Sequence, residues 1–364
     1  MTISSRVSLR GAVAACLLCA VCAFAVGCGP KPGTASQPVR ERQNLVYGRS
    51  SGGQALTEDV YSPNRRTKPA PLLIALHGGG FTGGDKQGTA GYAAALAAAG
   101  FVTINVNYSL TSPGYPEQVK EIQRAIRWNV ARAGEVGGDP HRVGVLGFSA
   151  GGYLGAMAAL LDDEHSTPPV DAVVTLSAPL DLPALDRLLR ARLAACGSRP
   201  SCSKMPHMPP LSAFGTLYRF LGCPTGNCSP SLIREASPSN QVTAHAPAFL
   251  MLNSTDELIP VSQPGDMADA LRVFGVPAQV VIVPGAAHAA GYVPRVSPAI
   301  LKFLRQRLGS SSPRLSGGDP PSPSGDLTLL LVCCALIFAT SLALILAAAR
   351  RRRPDGGPPV GELR

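Results

Sequence analysis

The sequence lacks a sustained heptad pattern and any internal repeat of roughly 20–50 residues, which excludes a coiled coil and a solenoid. Charged residues make up only 15% of the 364 positions, whereas 45% are hydrophobic, so the chain is not of the kind that stays disordered. Residues 45–308 carry 22 lysines and arginines against 18 aspartates and glutamates, although the whole chain has a formal net charge of +10. Most of the excess positive charge therefore lies in the flanks, and no nucleic-acid partner is expected.

The N-terminal region, residues 1–28, has the pattern of a secretory signal. Arg6 and Arg10 precede an apolar stretch at 11–26, which is followed by small residues. The end of this stretch, Ala-Val-Gly-Cys, resembles the cleavage box of bacterial lipoproteins, although that box usually has leucine where this chain has alanine. Cys28 is therefore the lipidation candidate, and ordinary cleavage or an uncleaved signal anchor are the alternatives.

The C-terminal region contains a second apolar stretch, which predicts a transmembrane helix. Residues 327–349 include no charged side chain, and at about 1.5 Å per residue they are long enough to cross a hydrocarbon core of about 30 Å. Four arginines follow at 350–353, so the tail at 350–364 is expected to be cytoplasmic. The central domain would then lie on the outer side of the cell membrane.

Residues 45–308 remain as one large domain after the linkers at 29–44 and 309–326, rich in glycine, proline and serine, are set aside. Within it, apolar runs alternate with helical patterns, which predicts an α/β fold with a mostly parallel sheet covered by helices on both faces. An antiparallel pair at 44–48 and 55–61 is expected to begin the sheet. The predicted strands are 71–77, 101–107, 142–148, 170–177, 247–253 and 277–284, and the predicted helices are 90–99, 117–133, 150–161, 263–274 and 297–308.

A long segment at about 180–245 interrupts this alternation and is interpreted as a cap over the carboxyl edge of the sheet, where open α/β sheets bind ligands. The segment contains Cys196, Cys202, Cys223 and Cys228. In an exported domain such a cluster predicts disulfides, and the favoured pairs are Cys196–Cys202 and Cys223–Cys228, each closing a short loop. A zinc site formed by all four thiolates is the alternative.

Residues 147–151, Gly-Phe-Ser-Ala-Gly, follow an apolar strand and begin a helix. This placement is what a nucleophile elbow requires, because the glycines permit a sharp turn that exposes the Ser149 hydroxyl at the edge of the sheet. A nearby helix N-terminus favours developing negative charge. Ser149 is therefore the predicted nucleophile.

A glycine run at 78–80 follows another strand, directly after His77. Backbone N–H groups in such a run can approach a substrate oxygen closely, which predicts an oxyanion-binding loop. His77 is expected to support this loop and not to act as the base.

A serine nucleophile needs a base, and the base needs a carboxylate that orients it. His288 follows a strand and lies among small residues, and Asp256 also follows a strand end. The predicted triad is Ser149, Asp256 and His288, which occur in the chain order of α/β hydrolases. Glu257 is the nearest competitor for the acid, and Asp181 is a more distant one.

Five motifs together resemble the α/β-hydrolase serine esterases related to bacterial feruloyl esterases and hormone-sensitive lipase. The resemblance covers about 70–305 and is interrupted at 180–245. It implies an oxyanion hole formed by the N–H groups of Gly79, Gly80 and Ala150, a loop-supporting role for Asp85, and a place for Tyr108 in the cleft wall. The motifs are HGGGF at 77–81 with GGDK at 83–86, NYSL at 107–110, DPHRVGVLGFSAGG at 139–152, STDELIP at 254–260 and GAAHA at 285–289.

The sequence thus predicts a membrane-tethered serine hydrolase that cleaves small-molecule carboxylic esters without a metal or an organic cofactor. A peptidase of the prolyl-oligopeptidase type is one alternative. An inactive hydrolase-fold domain used as a binding module is the other. The sequence indicates neither the natural ester nor the oligomeric state.

Overall fold

The computed structural model describes residues 38–64, 67–111, 114–161, 170–196 and 211–309. Its centre is an eight-stranded sheet with the strand order β1-β2-β4-β3-β5-β6-β7-β8. The strands are β1 (Val39–Arg49), β2 (Ala55–Pro63), β3 (Ala70–Leu76), β4 (Val102–Val106), β5 (Gly138–Phe148), β6 (Ala172–Leu176), β7 (Ala248–Ser254) and β8 (Ala278–Val283).

The sheet is mostly parallel, as predicted. Strands β3 to β8 pair in parallel, whereas β1 pairs antiparallel with β2, and β2 pairs antiparallel with β4. The first strand begins at Val39, inside the segment expected to be a linker. Its first half is polar and exposed, so it carries no apolar pattern that the sequence could have revealed.

Helices cover both faces of the sheet. On one face, α1 and α9 pack against Leu73, Leu146 and Leu250. On the other face, α2, α4 and α8 pack against Ile74 and Val145. The helices are α1 (Ala90–Ala98), α2 (Glu117–Ala131), α3 (Ala133–Val136), α4 (Ala150–Leu160), α5 (Leu182–Cys196), α6 (Leu211–Phe220), α7 (Pro230–Glu235), α8 (Ser262–Val273) and α9 (Val293–Leu308).

The inserted segment between β6 and β7 contains α5, α6 and α7. Side chains of α5 and α6 line a cavity together with Ser149, so the segment lies over the carboxyl edge of the sheet, as a cap would. A disulfide joins Cys223 and Cys228, which is one of the two predicted pairs and is incompatible with a zinc site built from four thiolates. Cys202 lies outside the described residues, so the second pair stays a prediction.

The membrane predictions concern parts of the chain outside the described residues. These parts are the signal with Cys28, the segment at 309–326 beyond its first residue, the apolar stretch at 327–349 and the basic tail. Within the described ranges, no helix combines the length and hydropathy needed to span a bilayer.

Candidate active site

Ser149 lies at the sharp turn between β5 and α4, in the geometry of a nucleophile elbow. Its backbone has φ 51° and ψ −119°, a left-handed conformation that costs a non-glycine residue about 1–3 kcal/mol and persists only where its surroundings hold it. The Ser149 N–H donates to the Leu176 carbonyl at 2.7 Å, which fixes the turn to the neighbouring strand. A Cβ at position 151 would lie 2.2 Å from the His77 carbonyl oxygen, so only glycine permits this packing.

The glycine loop after β3 reaches the same place as Ser149. Gly79 has φ 131°, and a Cβ there would lie 2.1 Å from the Gly83 carbonyl oxygen, so the loop requires glycine. Gly80 and Ala150 line one cavity together with Ser149. The structure therefore brings two of the three expected oxyanion donors to the nucleophile, and Gly79 precedes Gly80 in the same loop.

His77 is buried beneath this loop. Its ring stacks on Tyr108, with centroids 4.4 Å apart, and its Nδ1 lies 2.7 Å from the Gly78 carbonyl oxygen. Burial lowers the pKa of His77, which favours the neutral imidazole. Tyr108 donates its hydroxyl proton to the His77 carbonyl at 2.8 Å and is 4% exposed. Tyr108, expected in the cleft wall, stacks on His77 and is not among the residues that line the cavity beside Ser149.

Asp85 lies at the end of the glycine loop and caps the short turn at Lys86–Thr89. Its carboxylate accepts hydrogen bonds from the Gln87 N–H and from the Asn107 side chain, each at 2.8 Å. The Gln87 N–H bond is the largest cause of the lowered pKa of Asp85. The loop is thereby tied to the residue that follows β4.

A buried ion pair anchors the same loop to the sheet. Lys86 Nζ lies 2.6 Å from Asp59 Oδ1, and both side chains are almost fully buried. Lys86 also donates to the Asn44 side chain at 2.9 Å. Breaking a buried pair leaves an uncompensated charge, so removal of either partner is strongly destabilising.

The imidazole of His288 meets the carboxylate of Glu257. His288 Nδ1 makes a short contact with Glu257 Oε2, and the Glu257 side chain is fully buried whereas that of His288 is 33% exposed. The other carboxylate oxygen, Oε1, accepts from the Ser254 N–H and from the Ser177 hydroxyl, both at 2.8 Å. Glu257 is therefore a fixed, hydrogen-bonded partner for the Nδ1 nitrogen of the His288 ring.

The assignment of Asp256 as the acid is wrong in the structure. A turn at Thr255 and Asp256 directs Asp256 outward, where its exposed carboxylate accepts from the Thr255 hydroxyl, and the chain then returns Glu257 to the interior. Asp181, the distant competitor, accepts from the Ala184 N–H and caps α5. The spacing of residues could not distinguish two adjacent carboxylates, because the turn at Thr255 and Asp256 determines which of them reaches His288.

An apolar cavity of about 60 Å³ lies beside Ser149. The cap and the loops of the sheet both contribute to its wall, since Leu185 and Leu189 lie on α5 and Leu217 lies on α6. The six large apolar side chains that line it are Phe81, Leu185, Leu189, Leu217, Leu258 and Ile259. The arrangement can hold a small apolar group next to a hydroxyl and two backbone donors.

Comparison with known proteins shows the family to which the chain belongs. The BD-FAE family model matches residues 58–271. Esterase LipC of Mycobacterium tuberculosis is 32% identical over 286 residues, a match that covers 73% of this chain and 65% of that protein. A probable carboxylic ester hydrolase of the same organism, LipM, is 29% identical over 217 residues, which covers 57% of this chain and 46% of LipM.

Solved structures show the same fold. A bacterial heroin esterase superposes with a TM-score of 0.60 at 22% identity, covering 81% of this chain and 91% of that one. A truncated carbohydrate esterase from gut microbiota superposes with a TM-score of 0.59 at 20% identity, covering 77% of this chain and 99% of that one. The central domain therefore has the α/β-hydrolase fold.

Proposed function

The chain belongs to the BD-FAE family, whose model spans more than half of it, and from this we propose that it is a serine hydrolase that cleaves carboxylic esters. The acting residues are Ser149 as the nucleophile, His288 as the base and Glu257 as the carboxylate that orients the base. The meeting of Ser149, Gly80 and Ala150 at one cavity is the observation that carries the proposal.

The first half of the reaction forms an acyl-enzyme. Ser149 Oγ attacks the ester carbonyl carbon while His288 Nε2 takes the hydroxyl proton. The short contact to Glu257 Oε2 keeps the ring proton on Nδ1, so that Nε2 is free to accept. His288 then gives the proton to the leaving alcohol, and the carbon–oxygen bond to the alcohol breaks.

Backbone donors stabilise the charge that develops on the carbonyl oxygen. The N–H groups of Gly79, Gly80 and Ala150 are assigned this role, and a donor of this kind contributes about 3–4 kcal/mol. Water then attacks the acyl-enzyme with His288 as the base, which releases the acid and restores Ser149.

The size of the cavity points to a short acyl group. At about 60 Å³ it is much smaller than the cavities of roughly 150 Å³ that hold a benzene ring in a protein core. We expect acetate and butyrate esters to be turned over well, and octanoate and laurate esters poorly.

The test uses the full chain purified in detergent. Ser149→Ala should abolish both hydrolysis of p-nitrophenyl acetate and labelling by a fluorophosphonate probe, because the attacking oxygen is removed. Ser62→Ala is the control, since it removes a serine hydroxyl at the opposite edge of the sheet, where Ser62 bonds to the Val136 carbonyl. Equal labelling of wild type and Ser149→Ala excludes Ser149 as the nucleophile. Cleavage of an aminoacyl p-nitroanilide in preference to the ester would favour a peptidase.

A membrane tether is the second part of the proposal, and it rests on the sequence alone. The uncharged stretch at 327–349 and the arginines at 350–353 support a C-terminal anchor with the catalytic domain outside the cell, and Cys28 supports an additional lipid. In cell fractions, wild type should resist extraction from membranes by carbonate. Recovery of the full chain in the carbonate supernatant would contradict the tether.

A further inference from the structure

We propose that Ser177 and Tyr292 form a positioning pair that aims the Glu257 carboxylate at His288, an inference that rests on the proposed hydrolase function. Ser177 directly follows β6 and is fully buried, and Tyr292 lies at the start of α9 and is also fully buried. Neither residue lines the cavity beside Ser149. Their influence on the reaction therefore passes through the Glu257–His288 pair.

The Ser177 hydroxyl joins the segments that carry the base and its carboxylate. It lies 2.8 Å from Glu257 Oε1, from the Ala289 backbone nitrogen and from the Tyr292 hydroxyl. A carboxylate only accepts hydrogen bonds, so the single Ser177 proton goes to Glu257. The Ser177 oxygen then accepts from the N–H of Ala289, the residue that follows His288.

Tyr292 completes this arrangement from the other side. Its hydroxyl faces both the Ser177 oxygen and the Leu252 carbonyl, which lies 2.9 Å away. Burial raises the pKa of Tyr292, so its hydroxyl keeps its proton at any pH at which the enzyme would be assayed. Its single proton goes to the Leu252 carbonyl, which can only accept, so the neutral Tyr292 oxygen is held in place 2.8 Å from the Ser177 oxygen.

The result is a carboxylate whose two oxygens have different tasks. Glu257 Oε1 is held by two donors, the Ser254 N–H and the Ser177 hydroxyl, whereas Oε2 makes the short contact to His288 Nδ1. The Glu257 side chain is fully buried, and a buried charge is tolerated only where hydrogen bonds compensate it. Ser177 therefore supplies part of this compensation and also fixes the direction of the second oxygen.

The backbone indicates that this contact is maintained against local strain. Ser177 has φ 55° and Ala289 has φ 44°, and these two left-handed residues bond directly to each other. Such conformations persist only where the surroundings hold them, and they cluster at functional sites.

A double-mutant cycle tests the proposal on the full chain in detergent. Ser177→Ala should lower kcat for p-nitrophenyl acetate roughly 10- to 100-fold, the range expected for a lost hydrogen bond to a charged group, and should leave KM unchanged. In the Glu257→Gln background the same change should cost less than about 2-fold, because no carboxylate remains to be aimed. Tyr292→Phe should lower kcat less than Ser177→Ala does, and its effect should also vanish in that background.

An equal loss from Ser177→Ala in both backgrounds would assign the hydroxyl a merely structural role and overturn the proposal, as would a wild-type kcat. Ser177→Gly separates folding from positioning, because glycine relieves the left-handed backbone while also lacking the hydroxyl. Ser177→Gly should be as slow as Ser177→Ala even where it unfolds at a higher temperature, and a wild-type kcat in Ser177→Gly overturns the proposal. Ser149→Ala is measured first, and if it retains wild-type hydrolysis, the proposed function itself fails. If Ser149→Ala is inactive but Ser177→Ala and Glu257→Gln lower kcat independently of each other, only the positioning pair is contradicted.

Discussion

Glu257 and Asp256 are adjacent carboxylates, and exchanging each for its amide gives a direct test of which one serves His288. In Glu257→Gln the amide oxygen should occupy the place of Oε1, because that place lies between two donors, the Ser254 N–H and the Ser177 hydroxyl. The amide NH₂ group must then face His288 Nδ1.

The expected magnitude follows from the tautomer that this geometry imposes. A donor opposite Nδ1 makes that nitrogen an acceptor, so the ring proton moves to Nε2, which can then no longer take the proton of Ser149. Replacing the acid of a serine triad by its amide lowers kcat about 10⁴-fold for this reason, which corresponds to about 5.5 kcal/mol of transition-state stabilisation. Asp256→Asn changes an exposed group, and surface changes of this kind usually alter the free energy of unfolding by less than about 0.5 kcal/mol. Its kcat should stay within about 2-fold of wild type, because Glu257 is the carboxylate that contacts His288.

The assay is steady-state hydrolysis of p-nitrophenyl acetate by the two variants, with Ser149→Ala defining the background. Thermal unfolding of each variant shows whether a low kcat reflects a folded protein. A large loss in Asp256→Asn together with near wild-type activity in Glu257→Gln would refute the assignment of the acid and the geometry behind it.

Three further predictions concern the cap, a buried acid and the disulfide. Leu189→Ala should enlarge the cavity and shift the preferred p-nitrophenyl ester towards longer acyl chains. The control is Leu193→Ala, an exposed position of the same helix, which should leave the preference unchanged. An unchanged preference in Leu189→Ala would show that the cavity does not hold the acyl group. Burial raises the pKa of Glu58 to about 8, so the folded state keeps a proton that the unfolded state releases above about pH 4.5. The free energy of unfolding of the wild type should therefore fall relative to that of Glu58→Gln by up to about 1.4 kcal/mol per pH unit between pH 5 and 8. Urea unfolding of both proteins at pH 5 and at pH 8 measures this change. A difference in the free energy of unfolding between wild type and Glu58→Gln that is the same at both pH values contradicts the prediction. Changing Cys223 and Cys228 to serine should lower the free energy of unfolding by about 2 kcal/mol, since the bond spans a sequence separation of 5. The variant should also lose the part of a reducing agent's effect on unfolding that this bond causes, and an unchanged free energy of unfolding contradicts the prediction.

The sheet could be predicted from the sequence because most of its strands are covered on both faces. The buried strand β3 consists entirely of apolar residues and β6 of apolar residues with one threonine, and these runs stand out between helical patterns. The beginning of β1 could not be found in this way, because its exposed polar side chains resemble a linker. The last helix was predicted to begin at 297 and begins at Val293, since Pro294 lies in its first turn, where proline is tolerated although it usually indicates a break.

The parts of the site that a motif places on the backbone could be predicted from the sequence. The identity of the carboxylate that contacts His288 could not, because it depends on the direction in which a turn points two adjacent side chains. Ser149 and the glycine loop follow strands directly, so their edge of the sheet is determined by topology. The choice between Asp256 and Glu257 depends on a single turn, which the spacing of residues does not reveal. Ser177 gave one weak signal, namely that it follows β6 at the edge where Ser149 follows β5.

The segment that carries Glu257 also forms part of the cavity wall, because the next two residues, Leu258 and Ile259, face the space beside Ser149. An oversized acyl chain that displaces Leu258 must move the immediate neighbour of the carboxylate and disturb proton transfer through His288. Esters with long acyl chains should consequently bind but turn over slowly. The enzyme would then discriminate between acyl chains through kcat more than through KM.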